Sequence, residues 1–510
     1  MDGCHLGQLG GSRCPAVGSH AVTSESRLPV IIGIGQHTQR EVDFAVDPAR
    51  LMGVAVQRAL DDAGLTTSTD IDLMAVVRCL SIKHCNIGRL IESDLGLNVR
   101  RTMTTAASGN TPQALANHLA NRIVDGELDL AVVVGGETWR SRMRARKEAV
   151  EVDWRVDDSQ PDEMFSTDLP YLGTEEANRQ IVMPVIVYPM FESALRAHLG
   201  RTPNEHLAVI SELYERFSEV AAGNPYAWSR TARSAAEIAT AGPSNRMIGL
   251  PYTKYMNSNN DVDMGAALIM CSAEKAATLG VPRERWVFPH SGADCHEHTF
   301  ISNRWSFAET PAIELGGRRA LELAGVGIDD IEIIDLYSCF PSAVHLGAQS
   351  LGISLDRQVT RTGGLAFAGG PWNNYVMHAI ATVMADLRAH PGAKGLVWAN
   401  GGYATKHSFG VYSTTPPVAF QHAHPQDEID AMPRRELAAP AEAAGSATIE
   451  AYTVMFSRDG APETALAACL LADGRRAWGT SSDTVLATAM CDGEWVGRTA
   501  HLDPEGVLST

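Results

Sequence analysis

The side chains of this chain that could do chemistry by type are its nine cysteines, its histidines and a few tyrosines. The cysteines stand at 4, 14, 79, 85, 271, 295, 339, 469 and 491. A thiolate at any of them could act as nucleophile or metal ligand. None forms a C-x-x-C pair, and an odd count without a framework reads as reduced thiols in a cytoplasmic protein. Cys295-His296-Glu297-His298 offers three kinds of metal ligand in a row. Zinc ligands from one segment are normally two to four residues apart, so this run reads as a solvated loop and no metal site is expected. His422 and His424 fall in a polar stretch and read as solvated too. Residues 33–38, G-I-G-Q-H-T, have the outline of a dinucleotide loop, but Thr38 replaces its last glycine and no helix signal follows, so no nicotinamide or flavin is expected.

Residues 362–373, T-G-G-L-A-F-A-G-G-P-W-N, are the opposite case. Two glycine pairs bracket an apolar tetrad, a pattern that lets backbone approach a ligand closely. Yet the stretch holds no side chain able to move a proton or attack a carbon.

The elements that must position these residues follow from periodicity. Val30–Gly35 is a short apolar strand, and residues 48–64 carry helical spacing ended by glycine. Pro112–Asp125 is a helix with proline in its first turn, and Leu128–Val134 is a buried strand closed by Gly135-Gly136-Glu137. Residues 139–256 change character and read as a helical insertion. Strand and helix then alternate again through 263–279, 331–336, 341–351 and 373–387, ending on the strand 395–399 before Asn400-Gly401-Gly402. The helix–strand–glycine layout of 112–136 thus recurs near 373–402, which suggests a duplication. The organisation read from the sequence is a disordered tail over 1–26, an N-terminal half over 27–138, the helical insertion over 139–256, the rest of the core over 257–417, a linker over 418–445 and a small β domain over 446–510.

A net charge of −18 and a pI near 5.4 set the surface against phosphate backbones, so nucleic acid is not an expected partner. No run of 18 apolar residues occurs, so no membrane span is expected. Residues 1–26 lack the apolar block of a signal peptide.

Read in order, VIIGIGQ, the strand ending GGE, NPYAW (224–228), DMGAALIMCSAEKAATLG, YSCFP (337–341), the GGP loop and ANGGY (399–403) resemble the thiolase family, most closely its sterol-carrier-protein-associated branch. The resemblance covers about residues 28–416. Residues 446–510 resemble part of an OB-fold domain that accompanies thiolase-like proteins of type 1. The resemblance implies a duplicated, layered α/β thiolase fold with a helical loop insertion and a small β-rich OB-like domain. It also implies acyl-CoA and lipid chemistry, and a homodimer, with a monomer left open by the appended domain.

Thiolase chemistry needs a cysteine nucleophile at a helix N-terminus, an activating histidine in G-H-P, a His or Asn that holds an oxyanion-hole water, and a second cysteine as acid and base. Counting back from Gly126 places the nucleophile position at Gly109, while matching A-A-S-G to C-x-S-G places it at Ala106. The G-H-P histidine is Gly370, the oxyanion residue is Tyr337 and the second cysteine is Ala399. Every reactive side chain differs, so a conventional acetyl-CoA acetyltransferase is not expected. Three readings remain: non-covalent binding of a CoA thioester or acyl group, a retro-aldolase-type lyase acting on a β-hydroxyacyl-CoA, or a residual acyltransferase. The lyase reading takes Tyr337 as base, assisted by His378, Tyr403 or His407, and needs cationic neighbours to lower the phenol. Cys339 reads as a buried thiol. No cofactor is expected; CoA or acyl-CoA is the expected small-molecule ligand.

Overall fold

The computed structural model describes residues 25–83, 85–165 and 169–510. The tail read over 1–26 therefore lies outside the described residues, apart from Glu25 and Ser26.

The first half begins with β1 (Pro29–Thr38), α1 (Pro48–Ala63), β2 (Asp70–Val76), α2 (Ile87–Leu95), β3 (Asn98–Thr105), α3 (Thr111–Val124) and β4 (Leu130–Thr138). Local chemistry sets these boundaries. The Asp47 side chain accepts from Arg50 N at 2.8 Å to cap α1, whose first residue is Pro48, and Gly64 closes it at φ 68°. Every residue of β4 is buried, as an apolar strand covered on both faces must be.

The insertion then supplies α4 (Trp139–Glu148), the short β5 (Glu163–Phe165), α5 (Thr174–Asn178), α6 (Pro184–His198), α7 (Pro203–Gly223), α8 (Ala235–Ala239), β6 (Met247–Gly249) and β7 (Tyr252–Thr253). It is mainly helical, and β5 pairs with the outer strand β3. The chain returns to the first sheet through β8 (Asp263–Ser272) and α9 (Ala273–Thr278).

The second half runs β9 (Phe288–His296), α10 (Pro311–Ala324), β10 (Ile333–Leu336), α11 (Pro341–Leu351), α12 (Gly364–Phe367), α13 (Tyr375–Ala389), β11 (Lys394–Gly401), β12 (Lys406–Ser413) and β13 (Gln421–Ala423). The first sheet has the order β1-β8-β4-β2-β3-β5 and the second β10-β11-β12-β9-β13. Aligned as β1-β8-β4-β2 and β9-β12-β11-β10, both halves give two antiparallel pairs followed by a parallel one. The fold is a duplicated, layered α/β structure. α3 and α13 pack on each other and on both sheets, with α1 outside the first sheet and α10 outside the second. This middle position explains why Tyr375–Ala381 is buried without a break and shows no polar face.

The segment 418–445, read above as a linker, is part of the packed structure. β13 pairs with β9, Phe420 and Ile429 are buried, and α14 (Gln426–Asp430) and α15 (Pro440–Ala443) follow. Ala438 and Ala443 belong to the core of the C-terminal β-rich domain. That domain continues as β14 (Gly445–Phe456), β15 (Pro462–Leu470), β16 (Arg476–Ser481), α16 (Thr484–Met490), β17 (Thr499–Leu502) and β18 (Leu508–Ser509). Its sheet runs β16-β15-β14-β17-β18, and the bridge between Thr480 and Val507 closes it into a ring. It is keyed to the core by buried Arg476, which pairs with Glu450 at 2.7 Å and donates to the Ser302 and Arg304 carbonyls at 2.8 and 2.6 Å. Arg196 of α6 adds an ion pair to Glu494 at 2.8 Å.

Candidate functional site

The motifs converge on one cavity of about 420 Å³ at the N-terminus of α3. The glycine loop reaches it because buried Asp335, at the end of β10, accepts from the N–H groups of Arg361 (2.7 Å) and Thr362 (3.2 Å). N-P-Y-A-W holds the other side: Asn224 Nδ2 donates to Thr362 O at 3.0 Å, and Trp228 N to Ala368 O at 2.8 Å. The loop then bonds to the Asn257–Asn260 segment, Gly370 N donating to Asn259 O at 2.9 Å. Opposite, Glu137 at the end of G-G-E accepts from Leu80 N at 2.7 Å and Ser81 N at 2.8 Å, and Leu80 lines the cavity. Burial pushes the Glu137 carboxyl up to about 7, against the pull of those hydrogen bonds.

Gly109 and Tyr337 line the cavity and face each other. A Cβ on Gly109 would overlap the Asn400 carbonyl and come within 2.6 Å of the Tyr337 hydroxyl. The phenol thus occupies the space in front of position 109. Of the two positions offered by the sequence, Gly109 is the one that faces the Tyr337 and Asn400 motifs; Ala106 lies outside the lining. Gly370 and Ala399 stand behind the wall. A Cβ on Gly370 would overlap Ser258 Oγ, and Ala399 is buried in β11, leaving the next residue, Asn400, to reach the cavity.

Of the three expected assistants of Tyr337, the two histidines fall elsewhere and the tyrosine is engaged. His378 is buried away from the lining, its Nδ1 2.8 Å from Gln36 Oε1, and burial lowers its pKa to about 3. His407 accepts from Trp398 Nε1 at 3.3 Å and faces a different cavity. Tyr403 lines the site, but its hydroxyl donates to Val182 O at 2.8 Å. Burial raises the Tyr337 phenol, and among the described residues no cationic side chain lines the cavity to bring it down. Cys339 also lines it; burial pushes that thiol up to about 12, so it stays protonated. Among the described residues no Asp, Glu, Lys, Arg or His belongs to the lining.

The wall is polar without being ionisable near neutral pH. Ser108, Tyr188, Ser258, Asn260, Asn373 and Asn400 join Tyr337 and Tyr403, with Met183, Val185, Phe340 and Leu365 as apolar surface. Asn400 Oδ1, Ser258 Oγ and Trp372 Nε1 are buried and have no hydrogen-bond partner among the described residues. Native interiors rarely leave such atoms unpaired. Tyr188 escaped the sequence reading because it sits mid-helix in α6 with no motif around it.

A second feature adjoins. An open groove of about 1170 Å³ shares Val185 and Ser258 with the cavity. Lys147, Arg233, Arg246, Lys254 and Arg458 line it, and none of the five makes an ion pair among the described residues. Five such cations together stand out in a chain of net charge −18. Their positions span 147 to 458, so no local motif marks them. Arg458, in the turn between β14 and β15, is the contribution of the C-terminal domain.

Comparison with known proteins supports the fold. Residues 425–507 match the family described as Thiolase-like protein type 1 additional C-terminal domain. That start places the domain boundary inside the segment read as a linker. The crystal structure of a monomeric SCP2-thiolase like protein type 1 from Mycobacterium smegmatis is 33% identical, covers 95% of this chain and 99% of its own, and superposes with a TM-score of 0.82. An Ltp2-ChsH2(DUF35) aldolase (16% identity, 76% of this chain, 98% of its own, TM-score 0.57) shares the fold alone. So does the acetyl-CoA acetyltransferase from Syntrophomonas wolfei (14%, 76%, 99%, TM-score 0.56). No curated protein sequence matches the chain. Among the described residues no helix is long and apolar enough to cross a membrane. The chain belongs to the SCP2-thiolase-like protein type 1 family, in which a duplicated thiolase fold carries an additional C-terminal domain.

Proposed function

We propose that the protein binds a CoA thioester without covalent chemistry. The observation that carries this is a juxtaposition: a cavity of about 420 Å³, uncharged among the described residues, opens beside a groove holding five cations that make no ion pair among them. An acyl-pantetheine arm fits the first by its apolar wall and its unpaired Asn400 and Ser258 atoms. The phosphates of CoA fit the second. Among the described residues the cavity offers no group that changes protonation near neutral pH, which weighs against a thioester intermediate and against the retro-aldol reading alike.

We infer further that the C-terminal domain is an OB-type barrel. Its strands close in the ring β14-β15-β16-β18-β17, with α16 between β16 and β17. It braces the core and lends Arg458 to the groove. The protein acts as a monomer in this reading, as the Mycobacterium smegmatis relative is described, since β5 covers the edge of β3.

The test is calorimetric titration with CoA, an acyl-CoA and the matching acyl-pantetheine. Arg233→Glu with Arg246→Glu should weaken both CoA compounds by at least tenfold, flatten their salt dependence and leave acyl-pantetheine unchanged. Equal loss for all three ligands, or no binding by the wild type, would reject the reading.

A further inference from the structure

We propose that Asp294, His422 and His424 bind a divalent first-row transition-metal ion of the Zn²⁺ class, in a cavity separate from the acyl site. The three side chains come from two strands that the sequence gives no reason to join. β13 pairs in parallel with the edge of β9, Gln421 opposite Ser291 and Ala423 opposite Ala293. Alternation along a strand then sends His422 and His424 to one face, and Asp294 of β9 reaches the same face. One ligand atom from each residue lies within 4.8 Å of the others. The two imidazole rings stand 4.4 Å apart, centroid to centroid.

Two imidazoles and one carboxylate are the donor set that borderline divalent ions prefer. The surroundings are those of a held ligand set. Asp294 Oδ2 accepts from His422 Nε2 at 2.6 Å and from Asn117 Nδ2 at 3.2 Å, while Asp294 Oδ1 is buried without a partner among the described residues. The other nitrogen of His422, Nδ1, is 2.8 Å from the Asn121 side-chain amide. Turned so that its oxygen accepts from Nδ1–H, that amide fixes the tautomer that leaves Nε2 free for a metal. On binding, the proton between His422 and Asp294 moves to Nδ1 or to solvent, and the ion takes its place. The triad opens into a cavity of about 490 Å³ that His118 and His296 also line, which leaves room for water or a small anion on the remaining coordination positions. His422 and His424 stand just ahead of the matched C-terminal domain (425–507), so the ion would fasten the entry to that domain onto β9.

The experiment uses full-length protein stripped with a chelator and titrated with Zn²⁺ and with Co²⁺. Calorimetry should find one saturable site in the wild type, and the visible spectrum of the Co²⁺ form should report nitrogen and oxygen ligands in a distorted, low-symmetry field. His424→Ala, an exposed position that leaves the fold intact, and Asp294→Asn should each weaken binding by at least tenfold. His345→Ala, in the separate buried Glu192–His206–His345 cluster, should leave it unchanged. Zn²⁺ should raise the melting temperature of the wild type but not of His424→Ala. The proposal is overturned if the wild type shows no saturable binding, if His424→Ala and Asp294→Asn bind as the wild type does, or if His345→Ala abolishes the site.

Discussion

Helix α3 separates two cavities of similar size and opposite chemistry. At its N-terminus, where a thiolase keeps its nucleophile, about 420 Å³ are lined, among the described residues, without a charged residue or a histidine. Along its flank, Asn110, Ala114, His118 and Asn121 face about 490 Å³ that also hold Asp294, Lys406 and His296, His407, His422 and His424. The carboxylates beside the two cavities shift in opposite directions. Burial pushes Glu137 up because its donors are neutral. Burial pushes Asp294 the same way, but the His422 hydrogen bond and charge outweigh it and hold Asp294 below its usual range. Among the described residues the first cavity gathers polar side chains that stay neutral. The second gathers titratable groups, where the entry to the additional domain closes over the core.

The largest expected effect concerns Glu137. Its carboxyl is more basic in the folded protein than in the unfolded chain, so its contribution is complete below about pH 4.5 and is lost as pH rises through 7. With a shift to about 7, this carboxyl alone should take about 3 kcal/mol of stability from the wild type over that span. In Glu137→Gln, the stability from denaturant melts at pH 4.5, 5.5 and 7 should decline by about 3 kcal/mol less than in the wild type, the remaining decline including that of buried Asp335, whose carboxyl is raised to about 6. A decline of equal size in the variant would remove the contrast between the two carboxylates.

Next comes Gly109→Cys, which restores the nucleophile that the family resemblance implies. The new side chain meets the Asn400 carbonyl and the Tyr337 hydroxyl, and overpacking of this kind costs about 1–3 kcal/mol. The variant should unfold at lower denaturant and still gain no acyl adduct, because among the described residues no histidine or second cysteine able to activate a thiol lines the cavity. A stable variant that becomes acylated would show that the chemistry is one substitution away rather than lost throughout the site.

The smallest effect is expected from Tyr337→Phe. Its hydroxyl makes no hydrogen bond among the described residues, so stability should stay within about 0.5 kcal/mol of the wild type. Acyl-CoA affinity should fall by less than tenfold. Loss of an aldehyde- or ketone-releasing activity on this substitution would instead make Tyr337 a base.

The fold was legible because its motifs record close packing. Gly135 lies against the Asn374 side chain and Gly136 against the Met264 carbonyl, so G-G-E could not carry larger residues there. Asp335 and Asn224 pin the glycine loop, and both stand in or beside recognisable strings. The cavity was legible only where it coincides with such strings, as at Gly109, Tyr337 and Tyr403. His378 follows the G-G-P loop in sequence, yet α13 turns it toward Gln36. The cationic groove draws on residues from 147 to 458 and has no local pattern to find. His422 and His424 looked solvated because β13 is three residues long, too short for periodicity to register. Cys295–His298 looked like a loop, but Cys295 and His296 end β9 and Glu297 is buried, accepting from Ala312 N at 2.8 Å.

The most direct measurement incubates the protein with a panel of acyl-CoA and β-hydroxyacyl-CoA compounds and follows each sample by titration calorimetry and intact-protein mass spectrometry. Binding that saturates and reverses, an unchanged protein mass and ligand recovered intact are the predicted results. A covalent acyl adduct, cleavage of the ligand into a carbonyl product, or the absence of binding across the panel would contradict the account.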